Sequence, residues 1–354
     1  MTGASRILQI GYGAFGRTHA RAWQALGRAE NLVVADPDLA AHARLAADLP
    51  EARAVADYSK ALGQCCAVDI LTPTDTHCRI ALEALKAGRP VFVEKPVVVS
   101  CGEARALRDA ARQAGQPVMG GNYFRFHPKT IELRERIQAG DLGELRLLTG
   151  RFAGYKRARS DSGVLHNDAV HFLDLFCWLV GRLPDTVHAL TRDQFDRGMP
   201  DTALLALEWQ NGPLAQIECG YIQPGRWPDA VVPGALTSKE IAVSGSTGAV
   251  EIDFAAETYV CHKVEHERAA GLWTPRFVAP AASRNVPAAD AEAVLTAELF
   301  DFLRRIVGDA APTSDYEADG LDGALNMARL IEALEASTRE KRVVRLCEWE
   351  TDGN

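Results

Sequence analysis

The run Gly11-Tyr12-Gly13-Ala14-Phe15-Gly16 constrains this chain more than any other feature, because of what stands on either side of it. The apolar residues 6–10 read as a strand, and residues 15–26 carry a helical period. A glycine-rich turn therefore joins strand to helix, the context that gives this short motif its meaning. Gly11 makes the tight turn, Gly13 lets a pyrophosphate approach the backbone, and Gly16 lets the helix lie close to the strand. Tyr12, Ala14 and Phe15 complete the loop, whose unpaired amides at the helix start suit phosphate oxygens. A glycine turn serving the fold alone is the bland alternative, and the strand–turn–helix setting weighs against it.

The next hundred residues repeat the alternation. Strand-like runs at 31–35, 68–71, 91–93 and 117–119 alternate with helical stretches at 39–49, 78–87 and 103–114. Strands separated by helices of that length require right-handed parallel crossovers, so residues 1–121 are expected to form a doubly wound α/β Rossmann domain. Asp36 ends the second strand at the spacing where a carboxylate accepts both hydroxyls of an adenosine ribose. Its charge repels a 2′-phosphate, which favours NAD over NADP unless Arg17 or Arg44 lies close enough to reverse it. A capping role for Asp36 is the plainer reading. Thr72, Pro73 and Thr74 follow the third of these strands at the same edge and suit the nicotinamide riboside half of a pocket. His77 caps or contacts the next segment. Glu94-Lys95-Pro96 follows the fourth strand, where a lysine lends positive charge to a reacting oxygen and Pro96 suits a cis bond.

Beyond residue 121 the pattern shifts to an α+β domain over 122–354. Residues 144–154 are strand-like, and 163–180 should be one long helix. Runs 202–209 and 214–220 alternate polar and apolar residues around Asn211-Gly212, a strong hairpin signal. Runs 239–244 and 249–254 repeat the device, and 258–267 also looks strand-like. Loops are expected at 223–236 and 267–289, late helices at 289–306 and 315–338, and a short strand at 342–346.

The segment Leu165-His166-Asn167-Asp168-Ala169-Val170-His171 is the second chemical candidate. On an α-helix Asn167 and His171 share a face, with Asp168 about 100° away from Asn167. His171 suits proton transfer near neutral pH, and Asp168 and Asp174, three positions to either side, are placed to orient it. A capped, half-exposed helix is the competing reading. Asn122, Tyr123, Arg125 and His127 fall at the domain junction. Lys156, Arg157, Arg159 and Arg226 form a basic group that either meets an anionic substrate or is simply solvated, the latter being favoured. Tyr221 and Trp227 either stack on a sugar face or pack a loop.

Composition narrows the partners. With 39 Lys+Arg against 47 Asp+Glu the formal net charge is −8, which gives no support to nucleic acid or an anionic membrane as partner. The richest apolar stretch, residues 172–180, is too short to span a bilayer and contains Asp174. Residues 1–10 lack the marks of a secretory signal. The eight cysteines are scattered without a CxxC, so a reduced, cytoplasmic protein is expected. His262 and His266 sit on one side of a strand without a third ligand group, and no metal is expected.

The combination resembles the glucose-fructose oxidoreductase/inositol dehydrogenase (Gfo/Idh/MocA) family. The similar pieces are GYGAFG at 11–16, VVADPD at 33–38, DILTPTDTH at 69–77, EKP at 94–96, GNYFRFHP at 121–128 and GVLHNDAVHFLDL at 163–175. The resemblance implies a second domain built on a large, mainly antiparallel, open-faced sheet used for substrate and for a homodimer or homotetramer. It implies NAD-dependent hydride transfer on a sugar, sugar derivative or cyclitol. Lys95 looks like the lysine that contacts the reacting oxygen, and His171 like the proton-transfer histidine. Catalytic roles are thus expected for Lys95, His171 and Asn167. Substrate contacts are expected from Lys95, Arg125, Lys156, Asn167, Asp168 and His171. Cofactor contacts are expected from residues 11–16, Asp36, Thr72, Pro73, Thr74, His77, Glu94, Lys95, Pro96 and Asn122. The family commonly has Asp four residues before the histidine, whereas this chain has Asn167, followed by Asp168. Two alternatives stand beside a dehydrogenase: an NAD-dependent, redox-neutral glycoside hydrolase, and a non-catalytic dinucleotide-binding regulator.

Overall fold

The computed structural model describes residues 5–158, 161–229, 234–286, 289–309 and 320–349. These divide into two compact units, one of residues 1–123 and 290–328, the other of residues 124–289 and 329–354.

The first unit is a six-stranded parallel sheet. In chain order its elements are β1 (Ile7–Ile10), α1 (Ala14–Ala25), β2 (Leu32–Ala35), α2 (Leu39–Asp48), β3 (Arg53–Val55), α3 (Ser59–Leu62), β4 (Ala67–Ile70), α4 (His77–Lys86), β5 (Val91–Val93), α5 (Cys101–Ala114) and β6 (Val118–Gly120). The strand order β3-β2-β1-β4-β5-β6 is the doubly wound dinucleotide-binding order expected from the sequence. β3 and α3 were not anticipated; three and four residues are too few to carry a period. Alternate residues of the strands face opposite layers. Leu8, Ile10, Val68, Ile70, Val91 and Val93 join one buried cluster with Ile80, Ala84, Leu107 and Ala111 of α4 and α5.

The sequence assigned everything after residue 121 to the second domain, and here the structure differs. Helix α8 (Ala291–Ile306) returns to the first unit. Its Phe302 meets Phe92 of β5 edge-on at 5.8 Å, Glu292 pairs with Arg21 of α1 at 3.2 Å, and Glu298 accepts the backbone N–H of Asn122. The helix supplies apolar cover for Phe92, a requirement that no local pattern reveals.

The second unit carries a ten-stranded mixed sheet. Its elements are α6 (Pro128–Gln138), β7 (Leu145–Tyr155), α7 (Val170–Val180), β8 (Thr186–Arg192), β9 (Thr202–Glu208), β10 (Leu214–Gly220), β11 (Trp227–Pro228), β12 (Leu236–Gly245), β13 (Gly248–Asp253), β14 (Thr258–Ala269) and β15 (Leu272–Asn285), with β16 (Val344–Arg345). Helix α9 (Gly320–Glu340) begins in the first unit's share of the chain and ends in the second's. The order is β15-β14-β13-β12-β7-β10-β9-β8-β16, with β11 on β12. Every pairing is antiparallel except β7 with β10. The Asn211-Gly212 hairpin forms as expected, with Asn211 at φ 57°. Phe172 and Phe176 of α7 pack at Gly150 of β7, where a Cβ would stand 2.8 Å from the Phe172 ring.

One local expectation fails and one helix was not expected. Residues 267–285 are strand rather than loop: Ala269 pairs with Leu272 across a two-residue turn in which Ala270 (φ 50°) and Gly271 (φ 83°) are both left-handed. β15 is an edge strand, which tolerates Pro275 and Pro280 and is exposed over residues 271–279, so its sequence shows no alternation. Helix α6 also went unread, although His127 accepts the Lys129 N–H as its cap and Pro128 occupies the first helical position.

Candidate active site

Parallel pairing sets the candidate residues of the first unit at one level. Ile10 is opposite Ala35 and Ile70, Ile70 opposite Val93, and Val93 opposite Gly120. The next residue on each strand is Gly11, Asp36, Leu71, Glu94 or Gly121, all at the carboxyl edge where doubly wound sheets bind ligands.

The glycine loop has the shape a dinucleotide requires. Gly11 is left-handed at φ 104°, and a Cβ there would stand 2.7 Å from the Leu71 carbonyl oxygen. A Cβ on Gly16 would come within 2.5 Å of the Gly11 carbonyl oxygen, so this glycine allows helix and loop to touch. Gly13 differs: nothing lies within 4 Å of its absent Cβ, and both it and Ala14 are exposed. Gly13 caps α1 without a side-chain bond, and no acidic residue occupies the first turn, leaving the helix start available to an anion. Phe15 is half-buried against His19 at 5.0 Å.

Asp36 is fixed beside this loop. Its Oδ2 accepts the Tyr12 N–H at 2.8 Å and its Oδ1 the Asp38 N–H at 2.9 Å, and the lone pairs left over suit ribose hydroxyls. Neither arginine that threatened the NAD preference is directed at it. Arg17 makes a two-pronged contact with Asp48, and Arg44 pairs with Asp38. Burial and Asp48 push the Tyr12 hydroxyl up to about 12.

Thr72 accepts from the Thr76 hydroxyl at 2.6 Å, Pro73 is exposed, and Thr74 is buried. His77 is buried and ties two loops together, with Nδ1 at 2.9 Å from the Pro96 carbonyl oxygen and Nε2 at 2.8 Å from that of Thr72. The structural role for His77 is therefore the one observed. The Lys95–Pro96 peptide is cis. Beneath it lies a group that sequence reasoning missed. His19, fully buried on α1, has Nδ1 at 3.1 Å from Asp69 Oδ2 and Nε2 at 3.5 Å from Glu94 Oε1. Burial alone would lower the imidazole, but Asp69 and Glu94 outweigh it and raise His19 to about 10. Glu94 is held low against its own burial by His19 and Lys95.

In the second unit, the expected helix at 163–180 is continuous from residue 164 to Val180 but carries a π turn. Leu165–Ala169 is that π turn, and α-helix resumes at Val170. The wider turn changes the expected facing. Asp168 is buried, where its Oδ1 accepts from Lys156 Nζ at 2.7 Å and from Asn167 Nδ2 at 3.0 Å. Asn167, half-buried, also donates to the Tyr221 hydroxyl at 3.2 Å. Lys156 stands 4.5 Å from the Phe152 ring centre and 5.4 Å from that of Tyr221. His171 is half-buried, set edge-on to Phe124 at 5.2 Å and stacked on Phe152 at 5.4 Å. Burial and Asp168 push the Tyr221 phenol up. Phe152, Gly154 and Lys156 alternate along one side of β7 and its end, the signal from which Phe152 was readable.

Several expected roles change. Arg125 is buried and its guanidinium grips Asp174, with Nε 2.7 Å from Oδ2. Asp174 is thereby committed to Arg125, not placed as the orienting partner of His171. Asp168 accepts from Lys156 and Asn167. Lys156 does not offer an open positive charge, since its ammonium is 7% exposed and paired. Arg226 pairs with Glu240 at 3.3 Å, Arg157 is exposed, and Arg159 lies outside the described residues. Of His262 and His266, the former meets Glu251 at 2.9 Å. Among the described residues no group of three or more metal-ligating side chains assembles, and no helix is long and apolar enough to cross a membrane.

The N-terminal model of the GFO/IDH/MocA oxidoreductases, an NAD-binding Rossmann fold, matches residues 5–122, and their C-terminal domain model matches residues 130–251. The chain belongs to this family. It is an oxidoreductase with an NAD-binding first domain. An inositol 2-dehydrogenase of Saccharopolyspora erythraea is 30% identical over 218 residues, 59% of this chain and 64% of that relative's length. A D-apiose dehydrogenase of Paraburkholderia graminis is 25% identical over 355 residues, covering 97% of this chain and 90% of the relative. A levoglucosan dehydrogenase solved with NADH and levoglucosan shares the fold, with TM-score 0.78 at 18% identity over 97% of this chain and 99% of that one.

The glycine geometry separates two substitutions. Gly13→Ala should leave the melting temperature almost unchanged and weaken NAD binding by about tenfold or more, because its methyl enters the open approach. Gly16→Ala should destabilise the fold itself. Calorimetry of unfolding and of NAD binding checks both; equal effects from the two would contradict this division. The His19 shift has a pH signature as well. Its folded value exceeds the ordinary one, so its stabilising contribution is complete below the unfolded value of 6.5 and fades as pH rises towards about 10. The melting temperature should fall across that window, and fall less in His19→Gln.

Proposed function

We propose that this chain is an NAD-dependent dehydrogenase that oxidises a secondary alcohol of a neutral sugar or cyclitol, or reduces the matching ketone. The observation that carries the substrate class is the pairing of Lys156 with Asp168 at 2.7 Å beside Asn167 and Tyr221. That cluster offers hydrogen-bonding groups with its cation already neutralised, which suits hydroxyls better than a carboxylate or phosphate.

Bound NAD supplies the hydride acceptor, or the donor in reverse. The amides at Gly13 and Ala14 would hold its diphosphate, and Asp36 would accept the adenosine ribose hydroxyls. The Lys95 ammonium polarises the reacting oxygen. His171 takes the hydroxyl proton as the C–H bond gives up its hydride, leaving a ketone. Asn167 replaces the family's usual carboxylate, so its part is to hold a substrate hydroxyl, and the adjacent charge belongs to Asp168. The relatives named for inositol and D-apiose agree with a neutral polyol. A homodimer or homotetramer is supported by exposed leucines on the second unit's sheet: Leu147 opposite Leu214, and Leu190 opposite Leu204.

The test is anaerobic NADH formation across cyclitols, neutral sugars, sugar acids and nucleotide sugars. Neutral polyols should exceed anionic ones by at least about tenfold in kcat/KM, and Lys95→Ala and His171→Ala should each lower kcat by about 100-fold or more. Preference for an anionic substrate, or full turnover by His171→Ala, would reject the reading. Product release without net NADH would point instead to redox-neutral glycoside cleavage.

A further inference from the structure

A buried charged group, His19 with Asp69 and Glu94, lies under the Lys95 segment. His19 is flanked by Phe15 at 5.0 Å and Phe92 at 5.7 Å, which leaves its two nitrogens as its only polar edges. One faces Asp69, whose Oδ2 also accepts from the Trp23 indole at 2.8 Å. The other faces Glu94 Oε1 at 3.5 Å. The second oxygen of Glu94 accepts the backbone N–H of Lys95 at 2.9 Å. Gly121 is shaped for this carboxylate, since a Cβ there would stand 2.7 Å from Glu94 Oε1. Charged side chains buried this deeply are costly, and well-packed apolar residues commonly replace such groups without loss of stability. What apolar residues could not do is fix one orientation of Glu94, and with it the peptide that carries Lys95.

We propose that His19 is a positioning residue for Lys95, acting through Glu94. A residue on the dinucleotide-loop helix thereby sets the direction of the lysine that polarises the reacting oxygen. The role assigned to Lys95 rests on the dehydrogenase reading; the mechanical coupling of His19 to Lys95 does not.

Two variants of the full chain, His19→Gln and Glu94→Gln, test it by two independent readouts. The first is lysine acetylation followed residue by residue by mass spectrometry, which needs no substrate. In folded His19→Gln the rate at Lys95 should change by at least about threefold, while the other lysines keep theirs. The second is turnover of His19→Gln: kcat should fall by about 10- to 100-fold, with KM and the Kd for NAD moved less than about threefold, as expected for a misplaced reacting group. The double variant should be no worse than the poorer single one, because both break the same chain of contacts. An unchanged Lys95 rate in a folded variant, or losses that multiply in the double variant, would overturn the proposal. If His19→Gln does not fold, the Lys95 rate in Glu94→Gln decides alone. Absence of turnover in the wild type would reject the dehydrogenase reading, and acetylation would still decide the positioning role.

Discussion

The register of four parallel strands is the constraint on which the rest of the first unit depends. Ile10, Ala35, Ile70 and Val93 stand at one level of the sheet, so the chain leaves each strand at the same edge. A one-residue slip would turn every side chain to the opposite face and carry Asp36 or Glu94 away from that edge. Burial prevents such a slip, because residues of each strand face apolar layers on both sides. The edge then collects an open helix start, a carboxylate and a lysine-bearing cis peptide without further instruction.

Charge is handled differently in the two units. Around the glycine loop, the start of α1 is left without an acidic side chain, and Asp36 is held by backbone amides rather than by a cation. In the second unit, by contrast, cations are matched locally: Lys156 with Asp168, Arg125 with Asp174, Arg197 with Asp201, and Lys239 with Asp229. Each of these pairs carries no net charge. The π turn at Leu165–Ala169 contributes to that arrangement. It turns Asp168 inward to Lys156 and leaves Asn167 and His171 half-buried.

What the sequence disclosed, and what it withheld, follows from the range of the forces involved. Apart from β3 and α3, the strands and helices of the first unit before residue 121, the glycine loop and Asp36 at its strand end are local signals, and each appears where it was expected. The roles of Arg125 and Asp174 were misread because their pairing spans 49 positions and no local spacing predicts it. The same limit hid the return of α8 to the first unit and the meeting of His19 with Asp69 and Glu94. The π turn escaped because its extra residue leaves no mark in a pattern read at 3.6 residues per turn. β15 escaped for the opposite reason: an exposed edge strand has no buried face to enforce alternation.

Hydride transfer from a polyol carbon is the central claim, and isotope transfer tests it most directly. The best neutral substrate, deuterated at the reacting carbon, should yield NADH carrying that deuterium, with a slowed single-turnover rate. Unlabelled NADH, or turnover of the deuterated substrate with no deuterium ever reaching the cofactor, would contradict the account.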